Sequence, residues 1–327
     1  MEPLPDALTT GPFSTTAARA LGVPAQDLRR KGMLIPTRGA RVTELPETLA
    51  ARAAAFLVAL PEDVAFSHIT GAQLAELPLP RGLENQVDLD VMCRSGVGPI
   101  QRPGCIGHRG LETREAVRLR GLPVTGLAET WVDLGEVMKR GLDLDDLVVA
   151  GDVVARRLDE GMGEGEARGD RHGIDCLRSA LMSRVRPRGK KVLVEALTLI
   201  SPKSKSPMET RARLMFHRGG LPAPELNVSV EFEDGAGEGA VDGGAGWMLE
   251  GDFVWREQRV IGEYQGKHHK EIRQRAVDVA RRHLAEDEGW TFVEIFAGDV
   301  YTRPKRIAML RRLGRELGVP DSDLNLA

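Results

Sequence analysis

The chain is poor in aromatic residues, at 4% of 327 positions, so each of its four tryptophans is worth locating. It has three cysteines, Cys93, Cys105 and Cys176. They are far apart, match no metal-ligand spacing, and as an odd, scattered set argue for free thiols in a reducing compartment. No apolar run approaches the ~18 residues needed to cross a bilayer. The opening MEPLPDALTT lacks the basic and apolar regions of a secretory leader. We therefore expect a cytoplasmic protein with no membrane partner. Charge of one sign is not in excess either: 45 Lys and Arg face 48 Asp and Glu, a net charge of -3. Any nucleic-acid contact must then come from local patches. What remains is ordinary globular composition, and the length favours two or three domains over one.

Residues 1–45 read as a small head. Ser14 can cap a first helix, which LGVP stops at Leu21–Pro24. A second helix is expected from Ala25 to Lys31, ending at Gly32. MLIPTRGARV then gives two short strands about a turn at Thr37–Gly39. Helix, tight turn, helix and β-wing is the order of a winged helix-turn-helix. Arg29, Arg30, Lys31, Arg38 and Arg41 lie on the second helix and wing, and no acid falls between Leu28 and Thr43. That local positive patch suits a DNA backbone. A small folded cap with a solvated basic face is the alternative.

Residues 46–158 are expected to form a mixed α/β unit with His68 and His108 as polar landmarks; a histidine near a helix start is usually structural. Residues 159–200 read as a linker, Gly-rich over Arg157–Gly173, followed by a basic helix. Its run of Arg184, Arg186, Arg188, Lys190 and Lys191 is either a solvated face or a track for phosphates.

From Ser206 the pattern sharpens. SPMETRARLMFHRGG combines Ser at the cap, Pro at the first helical position and Glu209 three residues on. This is a capping-box signature, with Met208, Ala212 and Met215 on one face. ELNVSVEF, GDFVW and RVIGEY read as strands. EDGAGEGAVDGGAGWMLE, with Asp242, reads as an expanded hairpin loop. A helix with Ile272, Ala276, Val279 and Leu284, a strand WTFVEIFA and a closing helix complete an α-β-β-β-α-β-α order over residues 201–320. Trp255 and Trp290 are assigned to the core.

That order places the acids. Glu263 and Gln265 are two apart on one strand and share a face. Asp252 starts the neighbouring strand, and Glu209 projects from the helix above. Carboxylates gathered at one point repel unless a cation sits among them. Oxygen ligands suit Mg²⁺ or Mn²⁺, which can polarise a phosphoryl oxygen and lower the pKa of an attacking water. Asp278 is expected on a helix surface rather than at the metal.

The head resembles the N-terminal domain of the abortive-infection type IV antitoxin family over about 45 residues. AFSHITGAQLAELPLP, GVGPIQRPGCIGHRG and GLPVTGLAETWVDLG extend that likeness. Over about 110 residues the C-terminal segment resembles the PD-(D/E)XK nuclease superfamily, in the branch related to very short patch repair endonucleases. The matching stretches are Ser206 to Arg213, GLPAPELN from Gly220 to Asn227, DFVW, EYQGKHH, Asp278 with Arg281, and Gly289–Trp290. The resemblance implies Asp252 and Glu263 as metal ligands. It also implies Gln265 in place of the usual lysine, which brings hydrogen bonding but no positive charge. His269 stands at the motif's histidine and is placed for proton transfer. Lys267, His268 and Lys270 would clamp phosphates, with Arg211 and Arg213 as weaker candidates, and Arg281 would brace a ligand or touch the backbone.

The fold class expected is therefore α/β (α+β): a winged helix-turn-helix head, a mixed middle region and a restriction-endonuclease-like core. The function expected is metal-dependent DNA phosphodiester hydrolysis in a defence or toxin–antitoxin setting, with a cognate toxin or defence protein as a further partner. The alternative is a DNA-binding repressor or antitoxin whose nuclease fold is a non-catalytic module. An RNA-directed nuclease is a weaker third. Superfamily members that cut both strands often act as dimers, so a homodimer is compatible.

Overall fold

A computed structural model describes residues 4–29, 32–161, 172–232, 247–266 and 282–326. The chain is of mixed α/β class and divides into two compact units, Met1–Thr198 and Leu199–Ala327.

The first unit opens with β1 (Phe13–Ser14) and α1 (Thr15–Ala20), whose first turn is capped by the Ser14 hydroxyl. Where the second helix is expected, the described residues form a turn at 25–26 and a 3-10 helix, Asp27–Arg29. β2 (Ala40–Arg41) pairs with β1, and Leu34 bridges Val42. Leu8, Phe13, Ala18, Val23 and Leu28 make a small core of their own. Arg102 ties this head to the rest of the unit. Its guanidinium donates to the Thr37 hydroxyl (3.1 Å), the Arg38 carbonyl and the Ala59 carbonyl (2.7 Å).

Next come α2 (Leu49–Leu57), β3 (Val64–Phe66), α3 (His68–Leu74), α4 (Arg81–Glu84), β4 (Leu89–Cys93), β5 (Cys105–Arg109), β6 (Ala116–Leu119) and β7 (Leu122–Thr125). The five strands form one sheet in the order β5-β4-β3-β7-β6. Ala53 and Phe56 of α2 pack with Val64, Phe66, Leu89, Val91, Cys93 and Val124 on one face. Every residue of β4 is buried, so Asp90 and Met92 face a second covered side. α5 (Leu127–Glu136), α6 (Leu144–Asp159), α7 (Gly173–Met182) and α8 (Lys190–Leu199) complete the helices of this unit. Residues 172–198 thus belong to it rather than to a linker. The basic run 183–189 is the α7–α8 loop, not a helix. Arg184 there is buried on Glu129 and Asp133 and is not a phosphate contact. Gly189 closes the loop: at φ 70°, a Cβ there would meet the Gly135 carbonyl oxygen at 2.1 Å.

The second unit begins with α9 (Pro207–Arg218), followed by β8 (Glu225–Phe232), β9 (Trp247–Trp255) and β10 (Val260–Tyr264). Residues 282–287 are helical, and β11 (Thr291–Ile295), α10 (Ala297–Tyr301) and α11 (Arg303–Glu316) complete it. The sheet order is β11-β10-β9-β8, with β10 and β11 parallel and the other pairs antiparallel. One face packs Phe253, Trp255, Val260, Val293 and Ile295 against Ala212, Met215 and Phe216 of α9 and Met309, Leu310 and Leu313 of α11. The other gathers Val230, Phe232, Val254, Ile261 and Phe292 around Ala285. Each of the buried Val, Leu, Ile, Phe and Met side chains contributes about 1.5–3 kcal/mol. Trp255 is core, its indole donating to the Pro222 carbonyl (2.8 Å), and Trp290 packs half-buried against the second cluster.

Strict alternation fails at one place. Leu226 belongs to the first cluster, while Val228 and Val230 lie with the second. Between them Asn227 adopts φ 50°, a left-handed conformation that asparagine tolerates better than most residues. β9 makes the matching change: Trp247, Leu249 and Val254 lie with one cluster, Phe253 and Trp255 with the other. Asp252 sits at that change of face.

Candidate functional site

The strand registers bring the acids together. β9 and β10 pair Trp255 with Val260, Val254 with Ile261 and Phe253 with Gly262, so the next pair in that register is Asp252 with Glu263. The β8–β9 register, continued likewise, sets Asn227 opposite Asp252, and the parallel β10–β11 register sets Glu294 beside Glu263. The result is a row of polar positions across four strands. Directly opposed residues are within side-chain reach of one another.

Asp252 ends the β9–β10 ladder. Its Oδ2 accepts from the Tyr264 amide (2.8 Å), replacing a backbone partner. Burial pushes its carboxyl up to about 6, the Tyr264 amide pulls it back, and the charges of Glu209, Glu263 and Glu250 add to the rise. Glu263 is half-buried, and the Gln265 amide donates to its Oε2 at 3.3 Å. Gln265 itself is anchored by its backbone amide on the Ile295 carbonyl (2.8 Å).

Glu209 is buried in the first turn of α9. The Ser206 hydroxyl accepts from the Glu209 amide (3.2 Å), as the capping signature predicts. The Glu209 carboxylate does not close a box on Ser206. Its Oε2 accepts from the Lys205 amide (2.8 Å) and from Asn227 Nδ2 (2.8 Å), and Asn227 also donates to the Lys203 carbonyl. Asn227 thus turns β8 and holds Glu209 at once. The sequence marks Asn227 as a motif position but does not reveal this role. Nor does it single out Glu250, which lies two residues before Asp252 on the same strand.

His268, His269, Lys267, Lys270, Arg281 and Asp278 lie outside the described residues, as do Arg30, Lys31 and Asp242. Arg211 rests over the Tyr301 ring, 5.9 Å from its centroid. In the head, Arg29 and Arg38 are exposed, whereas Arg41 bolts the wing to the turn by donating to the Leu28 carbonyl (2.7 Å).

Among the described residues, no group of three or more His, Cys, Asp or Glu side chains is gathered closely enough to hold a metal ion. The strand acids are a pair. Mg²⁺ takes one or two protein carboxylates and completes its shell with water and substrate oxygens, so the oxygen donors of Asp252 and Glu263 fit that ion or Mn²⁺.

The histidines of the first unit form a different kind of cluster. The rings of His68 and His108 stack with centroids 3.6 Å apart. His108 donates to Asp90 (2.8 Å), as do Arg140 (2.7 Å) and Gln86 (2.9 Å). Burial pushes Asp90 upward, but those three hydrogen bonds outweigh it and hold the carboxyl at about 2. His68 is buried, with Ser67 Oγ 2.9 Å from its Nδ1. Desolvation, then the neighbouring His108, keeps His68 neutral well below its ordinary range. Every member has a partner, which is the pattern of a structural network.

These two sheets define a mixed α/β protein with a crowded row of acids in its second unit. No family model matches the chain, and no solved structure does. It is similar to two curated proteins: the uncharacterized protein MT2308 of Mycobacterium tuberculosis strain CDC 1551 / Oshkosh, and the uncharacterized protein Rv2248 of strain ATCC 25618 / H37Rv. The identity to each is 31% over 147 residues, covering 43% of this chain and 49% of the relative. The chain spans about half the length of these relatives. Among the described residues, no helix is long and apolar enough to cross a membrane.

Proposed function

We propose that the second unit hydrolyses DNA phosphodiester bonds with Mg²⁺ or Mn²⁺ held by Asp252 and Glu263. The observation that carries this reading is the β9–β10 register, whose next pair sets Asp252 opposite Glu263, with burial and the charges of Glu209, Glu263 and Glu250 raising the Asp252 carboxyl. A half-buried carboxylate among like charges costs stability unless a cation relieves it, which is common at functional sites. A bound divalent ion would supply phosphoryl polarisation and a more acidic water. Gln265 steadies Glu263 through its amide, and Asn227 with the Lys205 amide fixes Glu209 at the edge of the site. His269 is the residue assigned to proton transfer, and Lys267, His268, Lys270 and Arg281 to phosphate contacts. The head, with Arg29, Arg30, Lys31 and Arg38, is assigned to the DNA backbone.

The test is plasmid nicking with Mg²⁺ or Mn²⁺ by the full chain, beside Asp252→Ala and Glu263→Ala. Wild type should nick only with metal. Either variant should lose at least about a hundredfold, as for removal of groups that stabilise transition-state charge. Equal nicking by the variants would refute the assignment.

A second reading, a DNA-binding repressor or antitoxin with a non-catalytic module, is favoured by two features. Gln265 brings no positive charge, and Asp252 already serves the Tyr264 amide. Tight DNA binding without cleavage in either metal would select it.

A further inference from the structure

The last helix has two unlike sides. Met309, Leu310 and Leu313 of α11 are buried in the core. Lys305, Ala308 and Arg312 line an exposed ridge three or four residues apart. From Arg303 to Arg315 the helix carries six cations and no acid. Among the described residues, neither Lys305 nor Arg312 makes an ion pair, whereas Arg311 beside them is paired with Asp321 (3.1 Å).

This ridge borders a hollow of about 370 Å³, lined by Phe296, Asp299, Lys305, Ala308, Met309 and Arg312. That is the low end of ligand-sized cavities. Phe296 is 49% exposed there. A lone exposed phenylalanine needs no explanation, but one that lines a hollow together with Lys305 and Arg312 can serve as a stacking platform. The Asp299 carboxylate in the same wall is turned to the backbone, accepting from the Phe296 amide (2.8 Å). Phe296 follows Ile295, whose carbonyl holds the Gln265 amide (2.8 Å). The hollow therefore adjoins the end of the sheet that carries Glu263 and Gln265.

We propose that this hollow is a subsite for single-stranded nucleic acid: one unpaired base lies on the Phe296 ring, and the phosphates flanking it lie on Lys305 and Arg312. Aromatic platforms and cations are the combination that binds single strands without regard to sequence. Delivery of the neighbouring phosphodiester to Asp252 and Glu263 rests on the nuclease reading; binding at the hollow does not.

The experiment is fluorescence anisotropy of a labelled oligo-dT with the full chain in EDTA, so that no cleavage intervenes. Phe296→Ala and Phe296→Leu should each weaken binding by about tenfold or more, and Phe296→Trp should restore it. The leucine variant keeps the apolar bulk and separates lost stacking from lost folding, with circular dichroism as the check. Lys305→Ala with Arg312→Ala should reduce the slope of log affinity against log salt by about 0.7 for each cation removed. Unchanged affinity in Phe296→Leu overturns the proposal. So does competition by phosphatidylserine vesicles as strong as by the single strand. Phe296-dependent binding with no nicking removes the nuclease reading alone; nicking with no Phe296-dependent binding removes the subsite alone.

Discussion

Asp90 in the first unit and Asp252 in the second are both strand aspartates withdrawn from water, yet their acidities move in opposite directions. Asp90 is held at about 2 and Asp252 is lifted to about 6. Burial raises both. The difference lies in the company: His108, Arg140 and Gln86 donate to Asp90, whereas three glutamates crowd Asp252 and a backbone amide donates to it. A buried acid supplied with donors has a reason to be where it is without any ligand. An acid set among other acids gains from a cation, and that contrast separates the structural cluster from the candidate site.

The contrast can be broken by mutation. The largest effect is expected for Asp90→Ala, which strands Arg140 and His108 around a lost charge and should cost the first unit about 3–5 kcal/mol in urea unfolding. A cost below about 1 kcal/mol would show that the network is not holding the sheet. Next is Asp252→Asn, with the opposite sign. Its folded value of about 6 exceeds the ordinary 3.8, so its contribution is neutral below pH 3.8 and unfavourable once pH passes 6. At about 1.4 kcal/mol per unit the variant should gain up to about 3 kcal/mol at pH 7.5 and nothing at pH 3.5. Thermal melts at the two pH values read this directly, and a loss at pH 7.5 would overturn it. The smallest effect is Ser206→Ala, a cap removal expected to cost about 1 kcal/mol at both pH values. It serves as the control in which no carboxylate changes.

The helix start at Ser206, the succession of strands along the second unit and the shared side of Glu263 and Gln265 were legible because capping and period-two alternation are local rules. Asn227 and Glu250 were not legible as neighbours of Asp252. Asn227 reaches Asp252 through a left-handed turn of β8 that no local rule announces, and the sequence reads Glu250 as loop, whereas β9 already begins at Trp247. In the head, residues 25–26 form a turn and Asp27–Arg29 a 3-10 helix where the sequence suggests an α-helix. The Asp90 network was invisible for another reason: its members are up to 54 residues apart in sequence, as for Gln86 and Arg140, and meet only when the five-stranded sheet closes.

Asn227 performs two tasks with one side chain and one backbone angle. A glycine there would preserve the path of the strand and release Glu209; an alanine would lose both. Glycine at this position therefore separates the two tasks, freeing the acid without rerouting the strand, whereas alanine gives up both together.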